Sequence, residues 1–228
     1  MNLYPPLTFI ALFSTALPLC VGVFKLAKVD RGMKILFLYL VFNLSANIFL
    51  MWFVRGHQLH VGLIHVYYLV EYLFIMSIIS VWQESQRMKL FFQALIFLYV
   101  LFWAIAKVTF EPLSGLYTFT ASTSQVLLTI CAEYTLFLIV RSQIPPVITI
   151  DRFWVLLAFV IYYAGTLFTI ASRGILVHFP LKILFVFISI DWSLKIIFNI
   201  LFTVGFLCHR AQAQQLQRSL ELKSMHTI

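Results

Sequence analysis

Apolar stretches of about 20 residues recur from one end of this 228-residue chain to the other, with only short polar breaks between them. Seven can be marked, at about 6–27, 33–55, 61–83, 88–110, 115–140, 151–172 and 180–208. At 1.5 Å per residue, an α-helix of each length crosses a hydrocarbon core about 30 Å thick. The breaks hold the residues that end helices: Asp30-Arg31-Gly32, Arg55-Gly56, Pro112 with Gly115, Pro145-Pro146, and Arg173-Gly174 with Pro180. Pro18 falls inside the first stretch and predicts a kink there. The expected fold is an all-α membrane protein, a seven-transmembrane-helix bundle over 1–208 with a cytoplasmic helical tail at 209–228.

Composition excludes the soluble alternatives. Charged residues make up 11% of the chain, less than half of the roughly 25% that a soluble domain carries. The mean hydropathy is +0.98. A net charge of +8 would otherwise suggest nucleic acid, but the basic residues sit in short clusters between apolar runs. That placement fits topology signals and anionic lipid headgroups, and no nucleic-acid partner is expected. Cys20, Cys131 and Cys208 are far apart in apolar segments and have neither disulfide nor metal spacing. The first stretch lacks a basic n-region and a cleavage site, so it is read as a retained helix.

Orientation follows from the basic residues between stretches. Lys25, Lys28, Arg31, Lys34, Arg87, Lys89, Arg141, Arg152, Arg210, Arg218 and Lys223 fall on one side, against Arg55, Lys107, Arg173 and Lys182 on the other. Eleven against four predicts an N-out, C-in arrangement. All loops are short and the tail spans about five turns at most, which leaves no room for a folded soluble enzyme domain.

Glu71, Glu133, Asp191 and Lys195 lie well inside predicted spans, where a charge costs roughly 2.5–3.5 kcal/mol on insertion scales. In span seven, Asp191, Lys195 and Asn199 recur at i, i+4 and i+8 on one face, so Asp191 is expected to pair with Lys195. Both a self-neutralised packing role and a functional role fit such a pair. Span three carries His65, Tyr67, Tyr68, Glu71 and Tyr72, and the tyrosine hydroxyls are candidates to satisfy Glu71. Three acids against one base leave surplus negative charge, and Glu71, with no base in its own span, is the acid expected to carry a proton. No His-x-x-x-His or Glu-x-x-His pair accompanies His65, so no metal is expected. Span two aligns Tyr39, Asn43 and Asn47; span five aligns Thr118, Ser122, Gln125, Thr129 and Glu133; span six aligns Tyr162, Thr166 and Thr169. These stripes predict a hydrated central pocket, with spans one and four facing lipid.

Three families share the predicted topology. Asp191-Trp192-Ser193-Leu194-Lys195 resembles the last helix of microbial rhodopsins, which implies retinal on Lys195 as an alternative to no cofactor. That pattern is incomplete, since span three has no arginine and span six lacks the aromatic-proline signature. A broader match is to small seven-helix proteins of Bacteroidetes-type bacteria. It rests on Asn43 and Asn47, His65-Val66-Tyr67 with Glu71, Phe153-Trp154, and Trp192 with Asn199-Ile200-Leu201-Phe202. It implies the same architecture in a bacterial inner membrane and no assigned activity. Alkaline-ceramidase-like hydrolases also share the topology, but their metal-binding histidines have no counterpart beside His209.

The expected function is an integral membrane binding or sensory module that takes a small ligand or proton. It would signal to a separate cytoplasmic protein, with a homo-oligomer as a further possible association. A small transporter or proton-coupled carrier is the alternative, followed by an intramembrane enzyme and a rhodopsin-like protein. The pocket candidates are Asn43, Asn47, His65, Tyr68, Glu71, Tyr72, Gln125, Glu133, Tyr162, Asp191, Lys195 and Asn199.

Overall fold

A computed structural model describes residues 6–52, 59–115, 118–142, 147–172 and 180–225. The breaks at Arg55-Gly56, Pro145-Pro146 and Arg173-Gly174 lie outside them. Every regular element described is helical: α1 (Pro6–Ser14), α2 (Ala16–Lys25), α3 (Arg31–Trp52), α4 (Leu59–Val81), α5 (Gln86–Thr109), α6 (Thr118–Ser142), a 3-10 turn (Val147–Thr149), α7 (Asp151–Ala171) and α8 (Leu181–Met225). Seven segments are long and apolar enough to cross a membrane, α1 and α2 together forming the first, Leu7–Lys25. This set of helices fits an integral membrane protein. The last helix continues past its apolar segment to Met225 without a break.

Local chemistry explains where the helices stop. Pro18 has no amide hydrogen to give the Ser14 carbonyl four residues back, and its ring crowds that oxygen. The first segment accordingly breaks at Thr15, whose amide bonds the Leu12 carbonyl at 3.2 Å in a tighter turn. At the start of α3, Asp30 Oδ1 accepts from the Met33 amide at 2.8 Å and satisfies one of the donors that a helix N-terminus leaves open. Gly32 lies against the Trp82 indole, where any side chain would collide with the ring nitrogen. That close approach brings Trp82 Nε1 to Asp30 Oδ2, at 3.1 Å.

Successive segments run in opposite directions. At one end, Asp30 Oδ2 also accepts from Arg152 Nη2 at 3.0 Å, and Lys25 Nζ donates to the Phe206 carbonyl at 2.7 Å. At the other, His65 lies 3.1 Å from the Gly115 carbonyl. Helix α7 packs most extensively, against α6 on one side and α8 on the other. Phe159 of α7 meets Phe202 at 5.5 Å between ring centres, and Phe202 meets Phe198 at 4.1 Å. Helix α5 shows the outward character expected of span four, with Phe97 68% and Val108 87% exposed. Span one differs from expectation. Its Thr8, Ser14 and Thr15 are buried, because this segment packs along α8 rather than standing apart.

Candidate functional site

The main polar cluster forms half-way along the helices, around Glu71 of α4. Glu71 Oε1 accepts from Tyr39 Oη of α3 at 2.7 Å and from Tyr163 Oη of α7 at 3.3 Å. Asn43, one turn on from Tyr39, donates to Tyr39 Oη at 3.2 Å and to Tyr67 Oη at 2.6 Å. Asn47 then donates to the Asn43 carbonyl and side-chain oxygens at 2.6 and 3.1 Å. The hydroxyls that hold Glu71 thus come from neighbouring helices, not from Tyr68 or Tyr72 beside it. Tyr68 stacks edge-on with Tyr67, with ring centres 5.7 Å apart. Tyr72 turns toward α5, where its ring lies 4.0 Å from that of Tyr99 and its hydroxyl 3.4 Å from the Leu95 carbonyl.

Lys195 of α8 enters the same cluster. Its side chain is buried, with the ammonium 5.2 Å from the centre of the Tyr162 ring and 5.0 Å from that of Phe198. It lies within electrostatic reach of Glu71. The expected Asp191–Lys195 ion pair is absent among the described residues. Asp191 is only half-buried and accepts from Thr169 Oγ1 of α7 at 2.6 Å, while Lys195 turns inward to the aromatic rings. A shared helix face permits a pair but does not impose one. Here α7 offers Asp191 a hydroxyl and Lys195 only the face of an aromatic ring.

The remaining candidates separate. Gln125 of α6 accepts from Thr166 Oγ1 at 2.9 Å, which joins α6 to the threonines that lead to Asp191. Asn199 donates to Ser14 Oγ at 2.7 Å and Thr15 Oγ1 at 3.1 Å, at the break in the first segment. Its Oδ1 is buried without a hydrogen bond. Glu133 does not join the polar interior but lies exposed on α6. The physical reason is rotation: two successive steps of four carry a residue about 80° around the helix, from buried Gln125 to exposed Glu133. Polar groups in the cluster contact one another directly. Among the described residues, a shallow surface depression runs along α8 from Phe185 to Ile197, and a cavity of about 460 Å³ lies at the Asp30 end. The latter is lined in part by Trp82, Gln83, Glu84, Thr135, Asp151 and Arg152.

No family model, curated protein or solved structure matches this chain.

His65 belongs to a second network that the spans did not suggest. Lys107 Nζ lies 2.7 Å from His65 Nδ1, 2.8 Å from Glu111 Oε2 and 3.1 Å from Thr120 Oγ1. An ammonium can only donate and a carbonyl can only accept, so His65 takes a proton-free Nδ1 toward Lys107 and gives its Nε2 hydrogen to Gly115. Glu111 also receives the backbone amides of Phe119 at 2.9 Å and Thr120 at 3.1 Å, which closes the N-terminus of α6. Burial alone would raise the Glu111 carboxyl. The hydrogen bonds from Lys107 and Thr120, with the Lys107 charge, outweigh it and hold the group below its ordinary range. The available signal was Lys107 four residues before Glu111 at a helix end, a spacing that allows an ion pair.

Proposed function

We propose that this chain is an integral membrane binding or sensory module, N-out and C-in, whose Glu71–Lys195 cluster takes up a proton or a small ligand. The observation that carries the reading is Lys195, a buried ammonium with no hydrogen bond or ion pair among the described residues. Buried polar groups are ordinarily satisfied, and ionisable groups inside membrane spans are costly unless function retains them. Glu71 lies within electrostatic reach, so a change of charge at either residue alters the other. Helix α7 offers a route outward. Tyr163 contacts Glu71 half-way along it, and Arg152 at its start bonds Asp30 beside the cavity at that end. On the positive-inside count that end is cytoplasmic, where a separate signalling protein can read it.

Two expected results bear on this reading. In vesicles, difference infrared spectra over an acid-to-neutral titration should contain a carboxyl band that Glu71→Gln removes. Over the same titration, a nitroxide at Glu84→Cys, in a background without Cys20 and Cys208, should change mobility only while Glu71 is present. A label whose response survives Glu71→Gln would refute the coupling. For orientation, reporter fusions at Glu84, Val147 and the C-terminus should read as cytoplasmic and one at Pro112 as external. The opposite pattern would invert the topology.

A carrier is the second reading, and one observation favours it. The first segment is interrupted at Thr15, half-way along its length, as in transporters that bind cargo at broken helices. Asn199 anchors that break, so a carrier would use Asn199 where a sensor would not need it.

A further inference from the structure

Glu133 presents a different problem from Glu71. It is exposed on α6, about 12 Å along the helix from Arg141 at the end of the apolar segment, and so faces hydrocarbon in the bilayer placement proposed above. An ionisable side chain there normally faces the bundle interior or a partner. Tyr134 beside it is 42% exposed, and neither residue has a hydrogen-bond or ion-pair partner among the described residues. Around them, Val126, Ile130, Glu133, Phe137 and Val140 are all exposed at successive steps of four, three, four and three. That is the spacing of a coiled-coil seam, and a single polar seam residue sets register and partner number.

We propose that this face of α6 pairs with the same face of a second copy of the chain, parallel in the bilayer, with Glu133 of each copy accepting from the Tyr134 hydroxyl of the other. The argument for a second copy is self-complementarity. A seam side chain enters a hole formed by four residues of the facing helix. For Glu133, which follows Ile130 by three and precedes Phe137 by four, the hole includes the residue after its own counterpart, which is Tyr134. An unpaired acceptor therefore meets an unpaired donor, and two-fold symmetry makes the contact twice. Lipid tails offer no donor at that depth. The inference depends on bilayer placement but not on the Glu71–Lys195 reading.

The test uses full-length chains carrying donor and acceptor fluorophores in phosphatidylcholine vesicles, with energy transfer followed as lipid is added. Wild type should transfer above random proximity, and Glu133→Leu or Tyr134→Phe should weaken pairing roughly tenfold. Phe97→Leu, on the exposed face of α5, should leave it within about twofold, well under the tenfold step of one lost 1.4 kcal/mol. Random-level transfer in wild type, or Glu133→Leu pairing as well as wild type, overturns the proposal. As a second measurement, Ile130→Cys should cross-link to its copy above the native-cysteine background and Phe97→Cys should not. The reverse pattern assigns the contact to α5 and overturns the α6 interface.

Discussion

Replacing Lys195 with methionine should destabilise the detergent-solubilised protein by about 3–5 kcal/mol, and adding Glu71→Gln to that variant should recover most of the loss. Lys195→Met leaves the Glu71 carboxyl in a buried cluster without the charge that faces it. This cycle takes Glu71 as ionised opposite Lys195, where its own span alone predicts a protonated acid, so Glu71→Gln alone leaves the buried ammonium unmatched. In the double variant, the amide oxygen that Glu71→Gln introduces still accepts from Tyr39 and Tyr163, so the hydrogen-bond network survives with no net charge to bury. Asp191 provides the contrast. Its Thr169 bond does not involve Lys195, so Asp191→Asn and Lys195→Met should add within about 0.5 kcal/mol. Equilibrium unfolding of the single and double variants reads both cycles. Additive losses at Glu71 and Lys195, or strong coupling at Asp191 and Lys195, would show that the helix spacing predicted the pair better than the structure does.

The contrast between those cycles marks how far the sequence could be read. The seven segments were legible because hydropathy accumulates along the chain and does not depend on neighbours. The kink before Pro18 was legible for the same reason, since a missing amide hydrogen acts on the carbonyl four residues back. Partners were not, because they depend on how each helix is turned about its axis. Asp191 and Lys195 share a face, yet one reaches Thr169 and the other the Tyr162 and Phe198 rings. Glu133 continued the Gln125 stripe on paper, and the drift of a 3.6-residue helix carried it outside. Aligned polar stripes by themselves predict a hydrated central pocket. Several of those polar groups instead bond the preceding turn of their own helix, as Thr129 does at 2.8 Å and Ser122 at 2.6 Å. Lys107 reads in the sequence as a loop charge because it sits at the end of an apolar run. Its burial beside His65 became visible only once α4, α5 and α6 were together.

That cluster should fail under acid before the rest of the bundle. Lys107 and the Thr120 hydrogen bonds hold the Glu111 carboxyl below its ordinary range, so it contributes stability that is fully present above that range. The contribution is lost as pH falls through the lower, folded-state value, because the unfolded chain then binds the proton more readily. Protonation removes the acceptor that Lys107 and the Phe119 and Thr120 amides share, so the link between α5 and the start of α6 should loosen first. Glu111→Gln should mimic this at neutral pH. Lys107 and Glu111 are both buried, so the expected cost is about 3–5 kcal/mol, well above that of an exposed ion pair. Arg152→Lys is the useful comparison, since the Arg152–Asp30 pair is part-exposed, at 37% and 28% respectively, and should contribute much less. Amide exchange at Phe119 and Thr120, corrected for intrinsic rates, should accelerate in Glu111→Gln and in wild type under acid, while Glu111→Gln itself becomes nearly insensitive to acid there. If the variant keeps the full acid response of wild type, another group governs that end of the bundle.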